Sequence, residues 1–346
     1  MKYKPDQIQT HEIKDATLEV GKFSKKVVHV AAGAPAKTND TGEGYEQGSI
    51  WVDSTNGDMY ICSSHTAEDA EWHNMEGDDV NLFTVYGTGS AFNYGGYPGS
   101  KETIERFSYS SPANATDSGE LTTARRNCGM GQMKDKSYAY VAGGIPHGNP
   151  ILNQIGRFPF AATYDEADVG EFNTARQFAG QTTNGVYGWA AGGVSNPGAT
   201  TATDTIEKIT LASPAPATDI GEIAGNHENV SGISDTVNSR AFYATGLTNP
   251  GDTYLDTIEY IPFSHSSGAA TDWGETTEVK KMTATSVTPT DGWITGGKSP
   301  SIVDKIEKYS FSSAGNATDT AELSSNLNDH AGHSSSTDGF TSGGSD

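Results

Sequence analysis

Histidines are the residues of this chain best suited to acid–base or metal chemistry, yet the nine of them, His11, His29, His65, His73, His147, His227, His265, His330 and His333, are scattered. Only His330 and His333 stand close together. Two imidazoles three residues apart can hold zinc, but with Asp329 before them and a Ser-rich run after them they read as a polar strand or turn. Adjacent carboxylates such as Asp78-Asp79, or Glu120, could act as acid and base; with 44 acids and a formal net charge of -22, such acids read as solvated or turn residues. Asp53-Ser54-Thr55-Asn56-Gly57-Asp58 offers oxygens at part of a calcium-loop spacing, although its Asn-Gly already has a use as a hairpin turn. Cys62 and Cys128 form no Cys-x-x-Cys pattern and read as packed thiols. No catalytic residue, metal or cofactor is expected.

What positions these residues is a sentence repeated five times, at a period of about fifty residues: a double glycine, a variable loop, an Ile-Glu strand, then Ala-Thr-Asp. Its Asp falls at Asp117, Asp168, Asp219, Asp272 and Asp319, its Ile at Ile104, Ile155, Ile206, Ile258 and Ile306. The glycine pairs end at Gly96, Gly144, Gly193, Gly297 and Gly344, with a degenerate copy at Ala244-Thr245-Gly246. Only 34% of residues are hydrophobic while Gly numbers 41, a composition that starves helices and suits short strands joined by turns. In the second copy the alternation predicts strands at Asn127 to Met133, Tyr138 to Gly144, Gln154 to Phe160 and Asp168 to Phe172. Four antiparallel strands in fifty residues make a propeller blade.

The expected fold is therefore all-β, with an N-terminal arm over residues 1–44, a small β-hairpin anchor domain over 45–80 and a propeller over 81–346. The chain enters the repeats with second, third and fourth strands and supplies first and second strands at its last copy. In a ring the two ends could complete one blade, giving five; the duplicate second strand at Asn93-Tyr94-Gly95-Gly96 leaves six as the alternative. The repeated Asp is expected to fix its turn by accepting backbone N–H groups.

Loop lengths separate scaffold from variable surface. From the Ile to the repeated Asp the interval is 13, 13, 13, 14 and 13 residues, whereas from the last glycine to the Ile it is 8, 11, 13, 12 and 9. Variable loops on a fixed scaffold are where partners are met. Tyr97, His147, Asn149, Asn196, Asn249 and Tyr254 are the candidate glycan or partner contacts, rings and amides suited to sugars.

The N-terminal region differs. Ser49 to Cys62 alternates around an Asn-Gly turn, a hairpin signal, and Glu71-Trp72-His73 extends it. Residues 1–30 hold six lysines, Lys2, Lys4, Lys14, Lys22, Lys25 and Lys26, against four acids, leaving -24 on the remainder. An arm of opposite sign to its body suits docking on an acidic neighbour. The overall charge excludes a phosphate backbone as partner, no apolar run reaches the ~18 residues that span a bilayer, and the start lacks an apolar signal core.

Two resemblances sharpen these expectations. Tyr140-Val141-Ala142-Gly143-Gly144, Trp189-Ala190-Ala191-Gly192-Gly193 and Trp293-Ile294-Thr295-Gly296-Gly297, followed by Arg157-Phe158-Pro159-Phe160 and its sisters, resemble the kelch motif, without its downstream Trp and with one pair broken. That family implies a kelch-like propeller; its oxidases hold copper with Tyr, Cys and His. The phrases GSIWVDSTNGDMYIC, NATDSGEL, NATDTAEL and DGFTSGG are similar to those of virion and tail-fibre proteins of marine bacteriophages, notably those infecting cyanobacteria, over roughly residues 45 to 346. This likeness implies a structural protein exposed on the particle, anchored to other virion proteins by its N-terminal region, present in several copies, and presenting a propeller for host adhesion. A carbohydrate-binding, lectin-like propeller is the alternative, and a glycan-cleaving or metal-dependent enzyme a third.

Overall fold

The computed structural model describes residues 28–346 except 37, 40, 55–58, 68–69, 75–88, 112, 149, 162, 196–201, 214–215 and 336. Lys2, Lys4, Lys14, Lys22, Lys25, Lys26, Asn149, Asn196 and Asp78-Asp79 lie outside the described residues. The fold is all-β: short, mostly antiparallel sheets with no α-helix among the described residues. The chain divides into two compact units, Met1–Leu82 and Phe83–Asp346.

The first unit is a four-stranded sheet of Val28–Ala31, Ile50–Asp53, Met59–Ser64 and Glu71–Asn74 in that order. The expected hairpin is present as Ile50–Asp53 paired with Met59–Ser64, and Val28–Ala31 joins it in parallel. One face buries Trp51, Cys62 and Trp72 with Tyr45. Both indoles have carbonyl acceptors, Trp51 Nε1 on Gly33 O and Trp72 Nε1 on Asn39 O, which lets so small a core hold two tryptophans. The Asp53 carboxylate accepts the Gly33 N–H at 2.8 Å and is buried. It does not stand open as a calcium ligand.

In the second unit the repeat phrases become six sheets. Sheet A holds Ser90–Tyr94, Lys101–Ser108 and Thr116–Arg125; sheet B holds Tyr138–Ala142, Gln154–Pro159 and Ala167–Glu171, with Met133 beside its edge. Sheet C (Gly180–Thr183, Tyr187–Ala191, Thr205–Thr210, Thr218–Glu222), sheet D (Ser231–Asp235, Arg240–Thr248, Tyr254–Pro262, Thr271–Lys280) and sheet E (Ala284–Val287, Asp291–Thr295, Lys305–Ser310, Thr318–Glu322) carry all four strands in chain order. Sheet F is the hairpin Asn328–Ser334 with Gly339–Ser345. The expected sharing of one sheet by the two ends is not what forms: Ser90–Tyr94 pairs with Lys101–Ser108, and Gly339–Ser345 with Asn328–Ser334. The ends meet instead through side chains, Phe107 and Tyr109 of A against Phe340 of F.

Cores lie between consecutive sheets from A to E, filled by aliphatic and aromatic residues of strands two to four. Between D and E, Phe242 packs against Trp273, Tyr309 and Phe311, all nearly fully buried. The first strands line up side by side and are polar: Thr183 N donates to Ser234 Oγ, Thr285 Oγ1 to Gly232 O and Val287 N to Ser334 Oγ.

A buried pair of an acid and a basic residue seals each junction from A to E, an ion pair at three of them and a carboxylate–imidazole pair at C–D, and it explains the Glu of the Ile-Glu phrase. The basic residue stands eight residues after the repeated Asp, at Arg125, Arg176, His227 and Lys280. Arg176 Nη2 lies 2.8 Å from Glu207 Oε1, Lys280 pairs closely with Glu307, and His227 Nδ1 is 3.9 Å from Glu259 Oε1. Each acid also accepts a backbone N–H three residues before its cation, from Asn173, Thr277 and Ala224. At the A–B junction the Glu position is Gly156, and Glu166, just before the strand Ala167–Glu171, reaches into the vacated space to pair with Arg125 and accept Thr122 N. At E–F the cation is replaced by Leu327.

The repeated Asp lies across from the sealing position, as in Glu207↔Asp219, Glu259↔Asp272 and Glu307↔Asp319. Its expected turn-fixing bond occurs at Asp219, whose Oδ1 accepts Gly221 N. Asp117, Asp272 and Asp319 are exposed at the start of their strands rather than bonded across a turn.

The C–D seal is the weak one. Burial pushes Glu259 up to about 7, helped by Asp272 and opposed by the Ala224 N–H, while burial lowers His227. At pH 8 this leaves a buried carboxylate facing a neutral imidazole. His227→Arg, which installs the cation of the chain's own sister junctions, is expected to raise stability at pH 8 by about 1 kcal/mol, within the usual gain of consensus changes. Urea midpoints at constant slope measure it; an unchanged or lower midpoint would show that the site has no room for a guanidinium.

Candidate partner-binding face

The variable loops start from a constant geometry. The residue after each glycine pair bridges to the residue nine after the repeated Asp: Arg126↔Ile145, Gln177↔Val194, Glu228↔Leu247, Lys281↔Lys298 and Asn328↔Ser345. The glycine pairs are where the next segment docks, with Gly96, Gly144, Gly193 and Gly297 N donating to Arg125, Arg176, His227 and Leu327 O. Loops and lead-ins to the first strands therefore share one end of every sheet.

One residue further on, Asn127, Phe178, Asn229, Met282 and Asp329 all have φ between +50° and +59°. That conformation costs a non-glycine residue about 1–2 kcal/mol, and asparagine and aspartate bear it more easily than phenylalanine or methionine. What holds it is a chain of bonds from sheet to sheet: Phe178 N to Asn127 O, Val230 N to Phe178 O, Asp329 N to Met282 O. The result is a collar of amide, ring, thioether and carboxylate side chains at the loop end.

Of the sequence candidates, Tyr97 is 76% exposed, with the Arg126 guanidinium 5.4 Å from its ring centre. Tyr254 carries Lys281 Nζ at 5.4 Å in the same way. Arg126 and Lys281 are repeat equivalents, so the same cation-on-ring platform is built twice. Asn249 is held by its backbone between Asn226 O and Ala202 N, and its side chain bonds Glu228. Burial raises the Glu228 carboxyl, which Lys281 and Asn249 oppose; burial raises Asp329 too, opposed by Lys281 and Lys298. The structure thus brings Asn249 and Tyr254 into one polar cluster with Glu228, Lys281, Lys298 and Asp329. His147 is exposed on the loop of sheet B, apart from that cluster.

Gln132, Gly232, Ile233, Ser234, Thr285, Ser286 and Val287 enclose about 10 Å³, room for one water at most. His330 and His333 do not converge: His330 Nε2 meets Thr295 Oγ1 of sheet E, and His333 Nε2 meets Asn93 Oδ1 of sheet A. Among the described residues no three metal-ligating side chains gather. Burial lifts the Cys128 thiol to about 11 and raises that of Cys62, so both favour the unreactive form.

Sequence reasoning missed the sealing ion pairs and the collar. The pairs had a signal, a basic residue eight after the repeated Asp in four copies; Phe178 and Met282 had none, since neither residue type marks a left-handed position. No protein-family model matches the chain, and no curated protein matches it.

Proposed function

We propose that the chain is a bacteriophage virion component of tail or fibre, whose second unit is a kelch-like β-propeller presented for host-surface adhesion or assembly by binding. What carries this reading is the loop end: the repeats deliver their most variable segment to the same collar, on a scaffold whose other intervals differ by two residues at most. Six blade positions are favoured over five, because sheets A and F pack by side chains instead of merging. The N-terminal unit then serves as the anchor to other virion proteins, with several copies per particle.

The carbohydrate-binding alternative is favoured by the two cation-on-tyrosine platforms and the amide–carboxylate cluster beside Tyr254, which suit stacking and hydroxyl recognition. No observation at the site favours the enzyme reading.

Antibodies against the chain are expected to label tails or fibres of particles, and labelled chain to bind host cells. Tyr97→Ala with Tyr254→Ala is expected to lower cell binding about tenfold or more, the scale of losing two contacts at ~1 kcal/mol each, with the thermal midpoint within about 2 °C. Unlabelled particles would overturn the virion reading; undiminished cell binding by the double variant would overturn the loop end as the contact surface.

A further inference from the structure

Sheet F differs from its sisters in one chemical respect. At the positions eleven and fourteen after the repeated Asp, the other copies carry Cys128, Ala179, Val230 and Thr283, then Gly131, Thr182, Ile233 and Ser286; sheet F carries His330 and His333. Both imidazoles are buried, 7% and 8% exposed. They point to opposite neighbours. His330 Nε2 lies 3.1 Å from Thr295 Oγ1 of sheet E, and its Nδ1 has no partner. His333 Nε2 lies 2.9 Å from Asn93 Oδ1 of sheet A and 3.0 Å from Ser342 Oγ, while its ring meets Phe107 edge-on at 5.3 Å.

We propose that His330 and His333 make sheet F an acid-released clasp, which joins sheets A and E while both imidazoles are neutral and parts from them when they take up protons. A second N–H on His330 has no acceptor in place, since its Nδ1 is buried without a partner, and a charge on the buried His333 would stand among uncharged neighbours; an uncompensated buried charge is costly. The groups around His333 are Asn93, Ser342, Phe107, Phe340 and Tyr109, whose hydroxyl burial holds at about 12 and so neutral. Around His330 stand Thr295, Gly296 and Gly344; the nearest acid in sequence, Asp329, is engaged by Lys281 and Lys298. Burial accordingly lowers both imidazoles to about 4.

The sign follows. Released imidazoles bind protons below their ordinary value of about 6.5 that the closed form refuses, so closure is fully favourable above that pH and is lost as pH falls toward 4. Each ring shifts the open-to-closed ratio up to about tenfold per pH unit, and the two together about a hundredfold.

Amide exchange followed by mass spectrometry on the full chain, corrected for intrinsic rates, tests this at pH 7, 5.5 and 4.5. Segments 328–345 and 90–94 are expected to lose protection by more than about a hundredfold at pH 4.5, with the third strands of sheets C and D unchanged. His330→Thr with His333→Thr, using residue types the sister sheets hold there, is expected to abolish that dependence. Retained protection in the native chain, simultaneous loss in all sheets, or an unaltered dependence in the double variant would each overturn the clasp. Should the variant not fold, NMR titration of the native imidazoles decides: rings that titrate near 6.5 in the folded chain refute it.

Discussion

Glu166→Ala is expected to cost about 3–5 kcal/mol, the loss that follows when one partner of a buried ion pair is removed, and Gly156→Glu added to it is expected to return most of that loss. Arg125 is fully buried, and Glu166 is its partner. Three sister junctions hold their acid on the third strand, beside the Ile, as Glu207, Glu259 and Glu307. At this junction that position is Gly156, and the atoms nearest to a Cβ built on it are those of the Glu166 carboxylate and its Cγ. Removing Glu166 therefore opens the space that a glutamate at 156 occupies in the sisters. Gly156→Glu alone is expected to destabilise by more than about 2 kcal/mol, because two carboxylates crowd one guanidinium and the site is overpacked. The signature is a coupling of at least ~3 kcal/mol between neighbouring sites, read from urea midpoints. If Glu166→Ala costs under about 1 kcal/mol, or Gly156→Glu fails to rescue it, the carboxylate is not what seals the junction.

The same junction shows what sequence could and could not carry. Periodicity located three strands of sheet B to within a few residues, because alternation and turn chemistry are local; the expected first strand, Asn127 to Met133, is instead the short strand Met130–Gly131, which pairs in parallel with Gly180–Thr183 of sheet C. Periodicity could not name the partner of a glutamate, since the cation sits in the preceding repeat: Arg176 seals Glu207, and Lys280 seals Glu307. At Gly156 the Ile-Glu phrase lacks its acid, which stands instead at Glu166, just before the next strand. The first strands were the hardest to see. Gln181, Thr182, Thr183, Ser231 and Ser234 are buried yet polar, a pattern that reads as turn. They tolerate burial because hydroxyls and amides bond the backbone of the adjacent sheet, as Gln181 Nε2 does to Ala142 O. At the candidate face, loop lengths singled out one end of the sheets, but Asn249 beside Glu228 and Lys281 beside Tyr254 join segments that are distant in sequence. In the first unit the hairpin was legible from Asn-Gly; the parallel partner Val28–Ala31 was not, because a strand's alternation does not say which edge it joins.

Three glycine-to-alanine changes are expected to rank as Gly143 above Gly232 and Gly343, and the ranking separates two reasons for glycine in this fold. Gly343 has φ +69° with nothing within 4 Å of its missing Cβ. Alanine there meets the left-handed penalty alone, about 1–2 kcal/mol. Gly232 has no such φ, but its Cβ would fall on the backbone of Gln181 in the neighbouring first strand. Alanine there forces two backbones apart, an overpacking cost of about 1–3 kcal/mol that no rotamer can relieve. Gly143 combines both, with φ +68° and a Cβ directed into the Arg176 carbonyl, the oxygen that accepts Gly144 N at 2.9 Å. Its substitution loses that inter-sheet bond and displaces Arg176 from Glu207, for an expected cost of about 3–5 kcal/mol. Thermal and urea unfolding of the three variants give the order. Were Gly143→Ala no worse than Gly343→Ala, the double glycine would be explained by dihedral freedom alone, and the docking of each sheet on its neighbour's glycine pair would contribute nothing to stability.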